Sequence, residues 1–134
     1  MQILYPMAAL AMLTFAVLLL IPIRRFRAGI AGTISYDDFK YGESARVPPD
    51  VSLPNRNMMN LLELPVLFYV ACLAYAVIGR GDDAAIPLAW TYVGLRAVHS
   101  AIHLGYNRVQ HRLVAYAASN VALIMLWTNL VRAL

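Results

Sequence analysis

Three polar side chains stand at the head of an apolar stretch, at spacings that suit ligand binding. They are Arg56, Asn60 and Glu63. Residues three and four apart lie on one side of a helix, so the three side chains form a single stripe. An ionisable residue inside a bilayer costs roughly 2.5–3.5 kcal/mol on insertion scales unless it is paired or faces a wet cavity. The stripe therefore predicts a binding site or an ion pair.

A second polar stripe follows in the next apolar stretch, at Arg96, His99 and His103. An arginine near the middle of a membrane helix is rarely left unpaired, and Glu63 is the best carboxylate available. We therefore predict an ion pair between Glu63 and Arg96. His99 and His103 could also bind a metal ion with Glu63, but such spacing is common by chance. A hydrogen-bonded or ligand-contacting pair of imidazoles is the favoured interpretation, and no metal site is predicted.

The composition indicates the elements that must position these stripes. The chain has 134 residues, of which 61% are apolar and 13% charged, against about 25% charged in soluble domains. Four apolar segments, at about 2–23, 57–79, 84–107 and 113–133, each approach the ~20 residues that a bilayer requires. We predict an all-α integral membrane protein, a four-transmembrane-helix bundle forming one domain over residues 1–134, with a long loop at about 24–55. Pro65 should kink the second helix beside Glu63 and free a carbonyl near Leu61.

The basic residues predict the orientation of these helices. Those between segments one and two or between three and four are Arg24, Arg25, Arg27, Lys40, Arg46, Arg56, Arg108 and Arg112, whereas Arg80 and Arg132 lie on the other side. The positive-inside rule places both basic loops in the cytoplasm and both termini outside. Because these charges flank apolar segments, they indicate lipid contact and argue against a nucleic-acid partner.

The two stripes together resemble the MAPEG superfamily, the small four-helix membrane proteins of eicosanoid and glutathione metabolism. Arg56-x-x-x-Asn60-x-x-Glu63 is similar to the signature of the family's second helix. Arg96-x-x-His99-x-x-x-His103 is similar to the third-helix pattern of the prostaglandin E synthase and microsomal glutathione transferase branch, with His103 in place of a tyrosine.

The resemblance implies a homotrimer that binds glutathione between subunits and acts on a lipophilic small molecule. It also implies that an arginine near the start of the fourth helix activates the thiol, and Arg112 matches that position, nine residues after His103. The expected glutathione ligands are Arg56, Asn60, Glu63, Arg96, His99 and His103.

The chemistry of glutathione agrees with this set of residues. Arginine grips carboxylates bidentately, and a nearby cation favours the thiolate over the thiol. The protein would then be a glutathione transferase or peroxidase for lipophilic electrophiles. The alternative is a non-catalytic membrane binding or scaffolding module, in which Glu63 and Arg96 form a structural pair and Arg56 and Arg112 are interfacial charges.

The charge asymmetry generates a prediction about topology. Single cysteines placed at Ser44 and Asp82 should react with a membrane-impermeant thiol reagent from opposite sides of the membrane. Labelling of both positions in intact cells would contradict the four-span topology.

Overall fold

The computed structural model describes residues 2–79 and 84–134. Its five α-helices are α1 (Leu4–Ile30), α2 (Pro49–Leu62), α3 (Pro65–Ile78), α4 (Ala85–Leu104) and α5 (Val109–Ala133), and a short 3-10 helix covers Tyr36–Phe39. Helices α2 and α3 are two halves of one membrane-length stretch, so the protein is a four-helix bundle. Of the short connection predicted between the second and third segments, at 79–83, residues 80–83 lie outside the described residues.

Three of the helical stretches are long and apolar enough to cross a membrane, namely Leu4–Ile30, Pro49–Ile78 and Val109–Ala133. Helix α4 has 20 residues, which at 1.5 Å per residue also matches the thickness of a bilayer core. It is less apolar than the other three because Arg96, His99, Ser100 and His103 lie within it. All four of these side chains are buried, so α4 turns its polar face into the bundle.

The predicted kink lies at Glu63 and Leu64, between α2 and α3. Helix α2 ends at Leu62, and Pro65 occupies the first turn of α3. Proline is tolerated at the start of a helix because the backbone N–H that it lacks would have no hydrogen-bond partner within the helix at that position. The kink prediction is therefore confirmed. Because α2 stops here, its last carbonyl oxygens have no helical N–H from which to accept a hydrogen bond.

Helices α1, α2 and α5 extend further toward the predicted cytoplasmic end than the apolar segments do, whereas α4 ends at Leu104, before the end predicted at about residue 107. Helix α1 continues through the basic cluster to Ile30, beyond the end predicted at about residue 23. Helix α2 begins at Pro49, with Asp50 in its first turn, where a carboxylate interacts favourably with the helix dipole. The predicted loop at 24–55 is therefore reduced to residues 31–48, which we call the cap loop.

Arg24 joins three helix ends at this side of the bundle. Its guanidinium donates to the carbonyl oxygen of Asp50 at 2.6 Å and to that of Leu104 at 3.5 Å. The C-termini of α1 and α4 and the N-terminus of α2 therefore lie together. This places both basic loops at one end of the bundle, while their side of the membrane stays a prediction.

The apolar core lies toward the opposite end. Phe68 of α3 stacks on Tyr92 of α4 with ring centroids 4.6 Å apart. Leu10 and Val17 of α1 and Leu126 of α5 are buried in the same cluster. The large side chains that remain exposed are mostly apolar, as expected of a surface that faces lipid.

Asp38 organises the cap loop. Its carboxylate accepts hydrogen bonds from the Ser35 backbone N–H at 2.8 Å, the Ser44 hydroxyl at 2.7 Å and Arg46 Nε at 3.2 Å. The Asp38 side chain is 3% exposed. Donation from the Ser35 N–H, followed by that from Ser44, lowers the pKa of Asp38 to about 2. The ionised carboxylate therefore holds the two halves of the loop together.

This arrangement predicts an acid-sensitive loop. Because the folded pKa is about 2 and the ordinary value is 3.8, the contribution of Asp38 is present above about pH 4 and is lost as the pH falls toward 2. Hydrogen exchange of the amides of residues 35–47, corrected for the intrinsic rate, should accelerate over that range.

A variant tests the same contribution at neutral pH. Asp38→Asn should speed tryptic cleavage after Lys40 and Arg46, because an amide cannot accept the same set of hydrogen bonds as a carboxylate. Asp37→Asn, which removes a neighbouring exposed carboxylate, is the matched control. Equal cleavage of both variants would show that Asp38 does not hold the loop.

Candidate functional site

The candidate site is built around Arg96, whose side chain is completely buried. One terminal nitrogen of its guanidinium donates to the backbone oxygen of Asn60 at 2.8 Å and to the Asn60 side-chain oxygen at 2.6 Å. The Asn60 carbonyl is one of those left without a helical partner by the break before Pro65. Arg96 therefore satisfies a carbonyl group that the kink makes available.

The predicted ion pair between Glu63 and Arg96 is wrong for this chain in isolation. Glu63 is exposed at the end of α2, where its ψ of −102° is not helical. The ion pairs in the described residues are Arg25 with Glu43 and Arg46 with Asp38. Glu63 acts on Arg96 only as a more distant charge. Arg96 donates instead to the Asn60 side chain, so a neutral amide takes the place of the expected carboxylate.

Three further residues complete the surroundings of Arg96, and the sequence interpretation did not assign them to the site. Asn57 is fully buried and accepts a hydrogen bond from the Ser100 hydroxyl at 3.3 Å. The Tyr116 ring of α5 lies 5.7 Å from the Arg96 guanidinium carbon, within the range of a cation–π interaction. The signal for Asn57 and Ser100 was available, since each is a polar residue in an apolar membrane segment.

The two histidines lie next to this cluster, as their spacing predicts. The rings of His99 and His103 are 5.7 Å apart and steeply inclined, and Tyr116 lies 5.9 Å from His99. Both imidazoles are buried. Glu63 does not join them: within residues 2–79 and 84–134, no group of three His, Cys, Asp or Glu side chains is placed to hold a metal ion.

Several buried polar atoms of this cluster have no hydrogen-bond partner. They are Arg96 Nε and NH1, Asn57 Nδ2, the Tyr92 hydroxyl, and Nδ1 of both His99 and His103. Leaving such a group unsatisfied costs about 1–3 kcal/mol, and more when it is charged. Most of these atoms are donors, and no carboxylate pairs with Arg96 in the described part of the chain. The cluster is therefore suited to an anionic or hydrogen-bond-accepting ligand.

Arg112 stands at the end of the cluster nearest the cap loop. It lies in the first turn of α5 and donates to the Asn107 side-chain oxygen at 2.8 Å. Asn107 has a φ of +50°, which asparagine tolerates better than most residues. Gly105 is required in the same turn because a Cβ there would approach the Ala101 carbonyl oxygen to 2.9 Å. The tight turn thus fixes the position of the Arg112 guanidinium.

The charge of Arg112 acts on both His99 and His103, and that of Arg56 acts on His103. Arg112 is partly buried, whereas Arg56 is exposed. The structure therefore brings together Asn60, Arg96, His99 and His103, with Arg112 and Arg56 around the same end. Glu63 is exposed at the end of α2 and makes no ion pair with Arg96.

The contacts of Arg96 predict which residue it is coupled to. A double-mutant cycle with Arg96→Leu and Asn60→Leu should give a coupling energy of about 0.5–3 kcal/mol, as for residues in direct contact. The matched cycle with Arg96→Leu and Glu63→Gln should give a smaller coupling energy, because Glu63 makes no ion pair with Arg96. Unfolding by dodecyl sulfate in mixed micelles, followed by circular dichroism, supplies the free energies. A larger coupling with Glu63 would reinstate the carboxylate as the partner of Arg96.

Comparison with known proteins identifies the family. No curated protein matches the chain significantly. The sequence model of the MAPEG family, however, matches residues 3–132, which is almost the whole chain and includes every element of the site. The fold described above, with membrane-length helices around a polar cluster, agrees with that match. The chain is thus a member of the MAPEG family of membrane proteins.

Proposed function

We propose that this protein is a membrane-embedded glutathione-binding enzyme, a transferase or peroxidase acting on lipophilic electrophiles, related to the prostaglandin E synthase and microsomal glutathione transferase branch. The observation that carries the proposal is the buried Arg96, whose Nε and NH1 have no acceptor. Membership of the MAPEG family gives the class of ligand, since the family is associated with glutathione. Glutathione has two carboxylates that could accept from such donors.

The residues around Arg96 supply complementary groups for the remainder of glutathione. Asn60 and the two imidazoles can hydrogen-bond peptide groups, and Arg56 can bind the second carboxylate. Glu63 can bind the ammonium group. Its exposure on a single chain fits a ligand held between subunits, and we include a homotrimer in the proposal on that basis and on the family resemblance.

Arg112 is the proposed activating residue. A thiol with an ordinary pKa of about 8.5 is mostly protonated at neutral pH, and a guanidinium beside the sulfur favours the thiolate. The thiolate sulfur would then form a bond to an electrophilic carbon, and the displaced group would leave with its electron pair. The helix-rich, apolar surroundings allow the electrophile to arrive through the bilayer while glutathione enters from the basic end.

This mechanism predicts different effects for two arginines. Arg112→Ala should lower turnover of a small aromatic halide about tenfold for each unit by which the guanidinium lowers the thiol pKa. It should also reduce the thiolate absorbance of bound glutathione near neutral pH. Arg56→Ala should mainly weaken glutathione affinity, because its role is binding in both the ground and transition states.

Thermal unfolding with and without glutathione is the control for binding. Glutathione at 100 times its Kd should stabilise the wild-type fold by about 2.7 kcal/mol, and the shift should persist in Arg112→Ala. Wild-type protein that binds glutathione but forms no thiolate would exclude the transferase mechanism and favour the non-catalytic binding module. Protein that glutathione does not stabilise would overturn the proposal altogether.

A further inference from the structure

An apolar cavity lies away from the polar cluster, between the end of α1 and the cap loop. It has a volume of about 580 Å³, within the range of about 300–1,000 Å³ that is usual for small-molecule sites. Its apolar lining comes mainly from Ile21, Phe26, Ile30, Ile34, Tyr36 and Phe39. We call it the α1 groove.

The α1 groove is continuous with an exposed apolar face of α1. Phe26, Ile30 and Tyr36 are 66%, 89% and 94% exposed. On α1, Phe26 and Ile30 continue the line of exposed residues formed by Met12, Phe15 and Leu19, because residues three, four and seven apart share a helix face. An acyl chain lying along α1 would therefore reach the groove without leaving an apolar surface.

The segment that contains the α1 groove has a net positive charge. Residues 24–46 contain five cations (Arg24, Arg25, Arg27, Lys40 and Arg46) and three carboxylates (Asp37, Asp38 and Glu43). Two of the carboxylates are already neutralised, Asp38 by Arg46 and Glu43 by Arg25. Arg27 adjoins Phe26 in sequence, is exposed, and makes no side-chain ion pair among the described residues.

Arg25 gives the groove a polar contact of its own. Its side chain lines the groove, its guanidinium lies 4.3 Å from the centre of the Phe39 ring, and its Nε is buried without a hydrogen-bond partner. A phosphate oxygen is an acceptor that would satisfy this N–H. The apolar lining of the groove suits an acyl chain, and the neighbouring arginines suit the phosphate of an anionic lipid.

We propose that the α1 groove binds an anionic phospholipid of the bilayer, with one acyl chain against Phe26, Ile30 and Phe39 and its phosphate at Arg25 and Arg27. The site is separate from the proposed glutathione site, and the two proposals can fail independently.

Gly29 allows the groove to be filled without disturbing the fold. It lines the groove, and a Cβ placed on it would meet no atom within 4 Å. Gly29→Leu should therefore occupy the space of the acyl chain, and a leucine is also a better helix former than glycine. Gly94→Leu is the matched control, since Gly94 is a helical glycine with equally open space on α4.

The test uses the full-length protein in phosphatidylcholine nanodiscs that contain a minor fraction of phosphatidylglycerol. Native mass spectrometry then measures the lipid that remains bound after release from the disc. Gly29→Leu should reduce retained phosphatidylglycerol about tenfold, the effect of removing roughly two methylene groups from apolar contact. Gly94→Leu should retain as much as wild type, and Arg27→Gln should lose the preference for phosphatidylglycerol over phosphatidylcholine.

Circular dichroism and elution volume establish that each variant is folded and assembled, and glutathione-induced thermal stabilisation should be the same in Gly29→Leu and wild type. Equal lipid retention by Gly29→Leu and wild type would overturn the proposal. Equal retention of both lipids by wild type would overturn the anionic assignment. A Gly29→Leu variant that keeps its lipid but changes oligomeric state would replace the lipid with a second copy of the chain.

Discussion

The hydrogen bonds from Arg96 to Asn60 are the contact on which the membrane interior of this protein depends. A guanidinium in a bilayer is costly on its own, and a helix interior offers no free carbonyl oxygen. Pro65 supplies one by ending α2 at Leu62. The Asn60 carbonyl and side chain then accept from the same nitrogen of Arg96. One proline thus permits a buried arginine, and the arginine in turn fixes α4 against α2.

The sequence was sufficient to predict where the helices lie but not where they end. Length and apolarity identify spans because the bilayer sets a minimum length, and Pro65 marks the break because its ring cannot continue the hydrogen-bond ladder. Arg24, Arg25 and Arg27 end the apolar stretch of α1. They do not end the helix, since arginine is a good helix former. Near the end of α1, Ala28 packs in a buried cluster with Val47 of the cap loop and Val51 of α2, a tertiary contact that local sequence does not specify.

The site was predictable in composition but not in pairing. The stripe through Arg56, Asn60 and Glu63 assumes one unbroken helix, whereas α2 ends at Leu62 and Glu63 is exposed at that end. The search for an opposite charge led to Glu63 as the predicted partner of Arg96, whereas the observed partner is the neutral Asn60. Tyr116 could not be assigned because its contact with Arg96 depends on how α5 packs on α4, which local spacing does not specify.

Helix α1 presents two different faces at the same depth, one toward the ends of α2 and α4 and one toward the α1 groove. Arg24 points inward to the helix ends at Asp50 and Leu104, and so supports the end of the bundle near Arg112. Phe26 and Ile30 point outward and line the α1 groove. The residues 31–48 that cover this groove are held by Asp38 and by the pair of Arg25 with Glu43. A lipid in the α1 groove would therefore contact the loop that Arg25 anchors, while glutathione at the proposed subunit interface would contact Arg96.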